Sequence, residues 1–444
     1  MARKKVIFPQ KGMPFEDVLS EMEKQHEKDA RWQDGRVFSL VYHLSEEFAE
    51  FAQKAHDMYF HENALNPTAF PSLRQYEAEV VSMVADLFNG DQHVVGTMTS
   101  GGTDSILMAI KTYRDWARKV KPEIKDPEII IPETAHAAFR KAAHYFDVQL
   151  VIAPVDEAAK VNLDAVKAAI TPNTILLVGS AFNYPKGAID PISELAVLAE
   201  EAKIGLHVDA CLGGFILPWL AQLGQSIPPW DFSVPGVTSI SADLHKYGFV
   251  SKGASVILYR NVKFLKNQFF AEGDWSGGVY ISPGMSGTRR GGNIAEAWAA
   301  LKGLGADGYL EATRTIKMAS DKIQAGINAI PGLHVIGEPE GTVFAFTSDT
   351  LDPYLIGQEV EKRGWEINYL QNPPALHLMI VSTKHLDVAD LFLSDLAECV
   401  DFVASNPDLK LERNAAVYGM AATFENRGKL KDVLLDFIAD QYRV

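Results

Sequence analysis

A histidine and a lysine stand side by side in Ser-Ala-Asp-Leu-His-Lys-Tyr-Gly, residues 241–248, where an apolar run (Val237 to Ser241) meets a glycine-containing turn. The amine of Lys246 can condense with an aldehyde there, and the aldehyde that proteins most often hold through a lysine is pyridoxal phosphate. That chemistry makes three further demands. A cradle must hold the phosphate, an acid must face the pyridine nitrogen, and a flat group must lie on the ring.

The chain offers a candidate for each. Thr99 to Ser105 (TSGGTDS) runs into the helical pattern Ile106 to Ala109. Gly101 and Gly102 let backbone approach an anion, the free N–H groups of a helix start bind it, and Thr103 adds a hydroxyl. The same residues would equally make a plain capped helix. His136 opens a helix after Pro132-Glu133-Thr134-Ala135 and can stack on a planar ring. His207-Val208-Asp209 ends a strand, with His207 and Asp209 on one face by the period of two. Asp209 can pair with a protonated pyridine nitrogen, or it can cap the helix that follows. Lys252, close behind Lys246, is a second cation for the same place or a solvated surface lysine. Ser286 to Gly292 (SGTRRGG) is a second polar, glycine-rich turn, able to present Thr288 and backbone donors to a phosphate or to serve as a basic loop.

These residues need a frame that brings them together. From about 71 to 310, short apolar strands (Ile129–Ile131, Leu150–Ile152, Ile175–Val178, Leu206–Asp209, Val256–Tyr259) alternate with helical patterns (Ser105–Val120, Thr134–Phe146, Ile192–Lys203). That alternation predicts a mostly parallel sheet covered by helices, with ligands at the carboxyl ends of its strands. Residues 1–70 read as a helical segment, with patterns over Phe15–His26 and Leu44–Met58 and breaks at Asn66-Pro67 and Phe70-Pro71. Residues 311–444 read as a small α+β domain, with helices over Glu311–Ile330, Tyr354–Arg363 and Val388–Ala404 and strands near Leu333–Val335, Val343–Phe346 and Leu376–Val381. With 444 residues, 47% of them hydrophobic, the chain can build such a core. Its net charge of -15 argues against binding nucleic acid. Its two cysteines, Cys211 and Cys399, lie far apart without metal spacing, so neither a disulfide nor a metal site is expected, and the setting is reducing and cytoplasmic. No apolar run has the length of a membrane span, and the basic N-terminus lacks the apolar stretch of a signal peptide.

Taken in order, the phosphate turn, stacking histidine, strand-end aspartate, His-Lys pair and Gly-Thr loop resemble the fold-type I pyridoxal phosphate enzymes of the group that contains the amino-acid decarboxylases. Within it, the chain resembles the sphingosine-1-phosphate lyase family. The likeness is carried by TSGGTDS (99–105), AHAA (135–138), HVDACLGGF (207–215), SADLHKYGFVSKG (241–253), Gly277 to Tyr280, SGTRRGG (286–292) and Ala416 to Met420. It implies an α/β, fold-type I transferase-like architecture and pyridoxal 5'-phosphate as cofactor. By motif, Lys246 is the Schiff-base lysine, Asp209 the partner of the pyridine nitrogen and His136 the stacking group. Gly102, Thr103 and His245 hold the cofactor phosphate. Thr288 reaches the phosphate from the other subunit, which implies a homodimer with sites at the interface. Tyr42, Lys252 and Tyr418 surround the substrate's phosphate and hydroxyl. The chain departs from the family at Asn66, where histidine is usual, and at Asp104, where glutamate is usual, and it lacks the membrane anchor of the eukaryotic enzymes, which implies a soluble, bacterial-type form.

The implied reaction is cleavage of the C2–C3 bond of a phosphorylated long-chain base by a retro-aldol step, giving a long-chain aldehyde and phosphoethanolamine. The base for the C3 hydroxyl stays open among Lys246, Lys252 and a phosphate oxygen. Lys246 could serve only if its pKa were lowered, for example by Lys252. An amino-acid decarboxylase acting on glutamate, tyrosine or aspartate is the alternative. It would need a donor such as Arg289 or Arg290 for the α-carboxylate.

Overall fold

The structure is a computed structural model that describes residues 6–66, 68–412, 415, 418 and 427–442. Its centre is a seven-stranded sheet made of β1 (Val95–Thr99), β2 (Glu128–Pro132), β3 (Gln149–Ala153), β4 (Thr174–Ser180), β5 (Gly205–Asp209), β6 (Ser239–Ala242) and β7 (Ser255–Tyr259), in the order β1-β7-β6-β5-β4-β2-β3. Strands β2 to β6 are mutually parallel, and β7 runs against both of its neighbours. The expected apolar runs are all in this sheet. They are continuous because both faces are covered: Ile129 and Ile131 pack on one side, Ile130 on the other.

The described helices are α1 (Phe15–His26), α2 (Glu46–Met58), α3 (Pro71–Leu87), α4 (Gly102–Val120), α5 (Ala137–Phe146), α6 (Leu163–Ala169), α7 (Ile192–Ala202), α8 (Leu217–Gln222), α9 (Val262–Leu265), α10 (Gly291–Ala329), α11 (Pro353–Lys362), α12 (His385–Ser405) and α13 (Arg427–Gln441). Helices α4 and α5 cover one face of the sheet, while α3, α7, α8 and α10 close the other. The helix expected from Glu311 is the second part of α10, which bends at Gly305, whose φ of 57° is left-handed. Near the C-terminus, β10 (Leu333–Val335), β11 (Val343–Ser348), β12 (Asn368–Gln371) and β13 (Pro374–Met379) form an antiparallel sheet in the order β10-β11-β13-β12. A separate hairpin pairs β8 (Phe270–Glu272) with β9 (Tyr280–Ser282), and its residues are mostly exposed.

The segment after α1 crosses to the C-terminal sheet. Phe38 N donates to Glu366 O at 3.0 Å and Met379 N to Phe38 O at 3.0 Å. Phe38 also packs against the fully buried Trp365 and against Phe392, and the Trp365 indole donates to Asp395 at 2.8 Å. This junction carries Tyr42 toward the carboxyl edge of the central sheet. Among the described residues no helix is long and apolar enough to cross a membrane.

Trp365→Ala would leave a large cavity beneath Phe38 and remove the indole donor from Asp395, which keeps Arg363 as its partner. A loss of about 3–5 kcal/mol is expected, read as a lowered midpoint of thermal or urea unfolding.

Candidate active site

The parallel strands all deliver their following loops to one edge, and the largest concentration of polar groups lies there. A cavity of about 510 Å³ opens on Gly101, Gly102 and Thr103 after β1, His136 after β2, Ser180 to Tyr184 after β4, Asp209 at the end of β5, and Asp243, His245 and Lys246 after β6. Lys252, Tyr42, Asn368 and Met379 complete its wall.

Helix α4 starts at Gly102 without a side-chain cap, because its N-cap residue is Gly101, while Asp104 turns back to accept from Ser100 N at 2.9 Å. Its first N–H groups are therefore left for a ligand. Gly101 has a φ of 150°, and a Cβ on it would lie 3.2 Å from the His245 ring. On Gly102 a Cβ would fall 2.7 Å from Asp243 Oδ2 and 2.8 Å from Cys211 Sγ. His136 caps α5, its Nδ1 accepting from Ala138 N at 3.1 Å, which is why that helix begins at Ala137 rather than at Thr134.

Asp209 is steadied by Cys211 N at 3.1 Å and by the Ser241 hydroxyl at 3.4 Å. Behind it, His207 is enclosed between the hydroxyls of Ser239 at 2.8 Å and Ser241 at 3.2 Å. Burial pushes the His207 imidazole down to about 4, so it is neutral and supports the acid without adding charge.

Lys246 Nζ lies 3.0 Å from Asp243 Oδ2, and His245 Nε2 lies 3.5 Å from the same oxygen. Burial opposes the lysine's charge, yet the Asp243 carboxylate outweighs it and raises Lys246 above the ordinary lysine range. The expectation that Lys252 would lower Lys246 is reversed. Lys252 is itself pushed down to about 8, by burial and by the Lys246 charge. Although Lys252 is exposed as a residue, its ammonium donates to His245 O at 2.9 Å and lies 4.6 Å from the centre of the Tyr42 ring. The loop that carries it is pinned by α10, where the buried Glu296 accepts from Ser251 N at 2.6 Å and Asn293 donates to Lys252 O at 3.2 Å. Tyr247 next to Lys246 reaches the C-terminal sheet through Thr342 at 2.7 Å. The Tyr42 hydroxyl is buried without a hydrogen-bond partner and points to an unfilled polar contact.

Of the residues singled out in the sequence, Tyr42, Gly102, Thr103, His136, Asp209, His245, Lys246 and Lys252 meet in this cavity. Three do not line it. Asn66 folds into its own turn, accepting from Thr68 N at 2.9 Å. Thr288 donates to Asn63 at 3.1 Å and faces an adjoining cavity that shares Ser100 and Lys252 with the first. Tyr418 stacks on Tyr369, 5.3 Å between ring centres, in a second neighbouring cavity that shares Asn368. The rest of its motif, Ala416, Val417, Gly419 and Met420, lies outside the described residues. Sequence reading missed Asp243 as a site residue although it sits inside the quoted motif, and missed Phe182, Tyr184, Asn368 and Met379, which no local signal marks.

An uncapped helix start next to two glycines, a lysine that can bond a carbonyl, a flanking imidazole and a strand-end carboxylate fit an anionic aldehyde with a basic ring. The fold and this donor set define a fold-type I pyridoxal phosphate enzyme. The pyridoxal-dependent decarboxylase conserved domain matches residues 1–348. A sphingosine-1-phosphate lyase of Oryza sativa is 45% identical over 95% of this chain and 79% of its own length, and sphingosine-1-phosphate lyase 1 of Rattus norvegicus is 42% identical over 98% and 77%. The solved sphingosine-1-phosphate lyase of Burkholderia pseudomallei superposes with a TM-score of 0.87 at 42% identity, covering 91% of this chain and 94% of that one. A glutamate decarboxylase of Lactobacillus brevis, TM-score 0.79 at 19% identity over 93% of this chain and 97% of its own, shares the fold. The chain belongs to the pyridoxal-dependent decarboxylase family and, within it, to the sphingosine-1-phosphate lyases; its cofactor is pyridoxal 5'-phosphate.

Because a methyl on Gly102 would meet Asp243 and Cys211, Gly102→Ala is expected to weaken pyridoxal phosphate binding at least about tenfold, measured by absorbance titration, with an unchanged circular dichroism spectrum.

Proposed function

We propose that this protein cleaves phosphorylated long-chain bases such as sphinganine 1-phosphate between C2 and C3, releasing a long-chain aldehyde and phosphoethanolamine. The observation that carries this reading is the presence of two lysines in one cavity, Lys246 paired with a carboxylate and Lys252 pushed down to about 8. One is a charged group that can be bonded to cofactor, and the other is an amine that exchanges protons near neutral pH. The decarboxylase alternative needs a donor for the α-carboxylate, for which Arg289 or Arg290 is the candidate. Among the described residues lining the cavity there is no arginine, and Arg289 is bound to Glu77.

In this assignment Lys246 would bond the cofactor, and Asp209 would pair with the pyridine nitrogen and keep it protonated. His136 would stack on the ring. Gly102, Thr103, His245 and the start of α4 would hold the phosphate. When bound, pyridoxal phosphate supplies an electron-withdrawing ring that takes up the electron pair left on C2. Lys252 Nζ, in its neutral form, takes the proton of the C3 hydroxyl as the C3–O bond becomes a carbonyl and the C2–C3 bond breaks. C2 then gains a proton and the Lys252 ammonium gives one up, so the base is restored and no net proton is consumed. Tyr42 contacts the polar end of the substrate; Tyr418 and Asn66, assigned to the substrate by the resemblance, do not line this cavity.

We assign the active unit to a homodimer in which Thr288 serves the partner's site. Two features support this. Thr288 does not line its own chain's cavity, and the nearby hairpin exposes Trp275, Val279 and Ile281. The free, buried state of both cysteines is consistent with a cytoplasmic setting.

Incubation with sphinganine 1-phosphate should yield long-chain aldehyde and phosphoethanolamine in equal amounts. Carbon dioxide from glutamate, tyrosine or aspartate in its place would support the decarboxylase reading. Lys246→Ala should abolish turnover and the visible absorbance of lysine-bound cofactor together; retention of either would remove Lys246 from its role. If Lys252 is the base, kcat/KM should rise with pH up to about 8. Lys252→Arg, which cannot give up its proton, should lose that limb and about 10²–10⁴-fold in kcat while keeping the cofactor spectrum.

A further inference from the structure

Asp243 has no role in the scheme above, yet it is the most enclosed charged group of the cavity, 1% exposed. A carboxylate is costly to bury and needs a stated reason. Its position supplies one. Residues 243–246 form a tight turn after β6, with Lys246 N donating to Asp243 O at 3.3 Å, so the two side chains emerge on the same side. Oδ2 then lies 3.0 Å from Lys246 Nζ, while Oδ1 makes no hydrogen bond. Gly102 lies against this carboxylate, since a Cβ there would fall 2.7 Å from Asp243 Oδ2 and 2.8 Å from Cys211 Sγ. The other ionisable groups that face Lys246 are Asp209, Cys211, Tyr184, Tyr247 and Lys252. Asp209 is committed to Cys211 N and Ser241, and Lys252 repels, which leaves Asp243 as the group in direct ion-pair contact.

We propose that Asp243 is a positioning residue that receives the Lys246 ammonium whenever that lysine is not bonded to the cofactor, and thereby sets the rate and pH dependence of cofactor attachment. The inference rests on Lys246 being the cofactor lysine. In attachment, the ammonium first leaves Asp243 and gives one proton to solvent. The amine lone pair then bonds the aldehyde carbon, and the carbonyl oxygen departs as water with the two remaining amine hydrogens. Asp243 holds the lysine in the form that cannot start this sequence, so it exchanges speed of attachment for a fixed location of the nitrogen. Burial alone would raise the Asp243 carboxyl, but Lys246 and His245 hold it well below the usual range, so it is an anion while the ammonium faces it.

The test uses the full chain freed of cofactor and reloaded with pyridoxal 5'-phosphate, followed by visible absorbance and by borohydride reduction with peptide mapping. In the wild type the attachment rate should climb about tenfold per pH unit between about pH 7 and 9 without levelling. In Asp243→Asn it should level off within that range and be at least about tenfold faster at pH 7. Superimposable profiles with the mark on Lys246 would overturn the role of Asp243. A mark on another lysine would instead overturn the assignment of Lys246. Should Asp243→Asn lose its thermal unfolding transition, competitive acetylation of the wild type decides. Lys252 should react with a midpoint near about 8 and Lys246 only far above it, and equal reactivity would sink the proposal.

Discussion

A lysine ammonium held inside a protein must have its charge answered, and in this chain the answer is a carboxylate one helical turn's distance back along the same loop. Most of the site's shape follows from that pair. The neighbouring helix has to begin with glycines, because a side chain at Gly102 would occupy the space of Asp243. Burial, together with the Lys246 charge, makes Lys252 the weaker base of the two lysines. The aspartate at the end of β5 is kept apart by its own donors, Cys211 N and Ser241. Removing one member of such a pair would leave the other unanswered, at a cost of several kcal/mol.

The surrounding architecture maintains these separations from a distance. The start of α10 grips the backbone on both sides of Lys252 through Glu296 and Asn293. The C-terminal sheet reaches in through Thr342 to Tyr247, and the N-terminal strand-like segment brings Tyr42 across both. Three remote parts of the chain therefore converge on residues 241–252, and each does so through a hydrogen bond or a ring contact rather than through bulk packing alone.

Much of this was legible in the sequence, for a physical reason. Strands buried on both faces read as unbroken apolar runs, so β2 and β4 to β7 were visible without knowledge of their partners, and the edge strand β3 was marked by its own run Leu150–Ile152 although Ile152 is exposed. Strand β1 was not, since Gly96, Thr97 and Thr99 interrupt its pattern. Helix α3 was hidden by reading Phe70-Pro71 as a break, whereas Pro71 occupies the first helical turn, where its missing N–H is harmless. The two glycines at 291 and 292 looked like the end of a loop. They open α10, because a Cβ there would strike Glu62 O at 2.6 Å and the His56 ring at 2.7 Å. In the site, residues on one motif were found together, but Tyr184, Asn368 and Met379 come from separate segments and only the folded chain unites them.

The single reversed strand has a consequence for what the molecule can tolerate. Since β7 runs back beside β6, residues 243–254 join them directly, with no crossover helix between. The parallel strands that feed the site are otherwise each followed by a helix before the chain returns to the sheet. The β6–β7 connection is clamped at both ends by hydrogen-bonded neighbours, and it carries both lysines. It therefore works as a ruler, in which an added or missing residue would turn one amine away from the other. The length of that connection, more than the identity of its apolar members, is the quantity an engineer of this scaffold would have to leave alone.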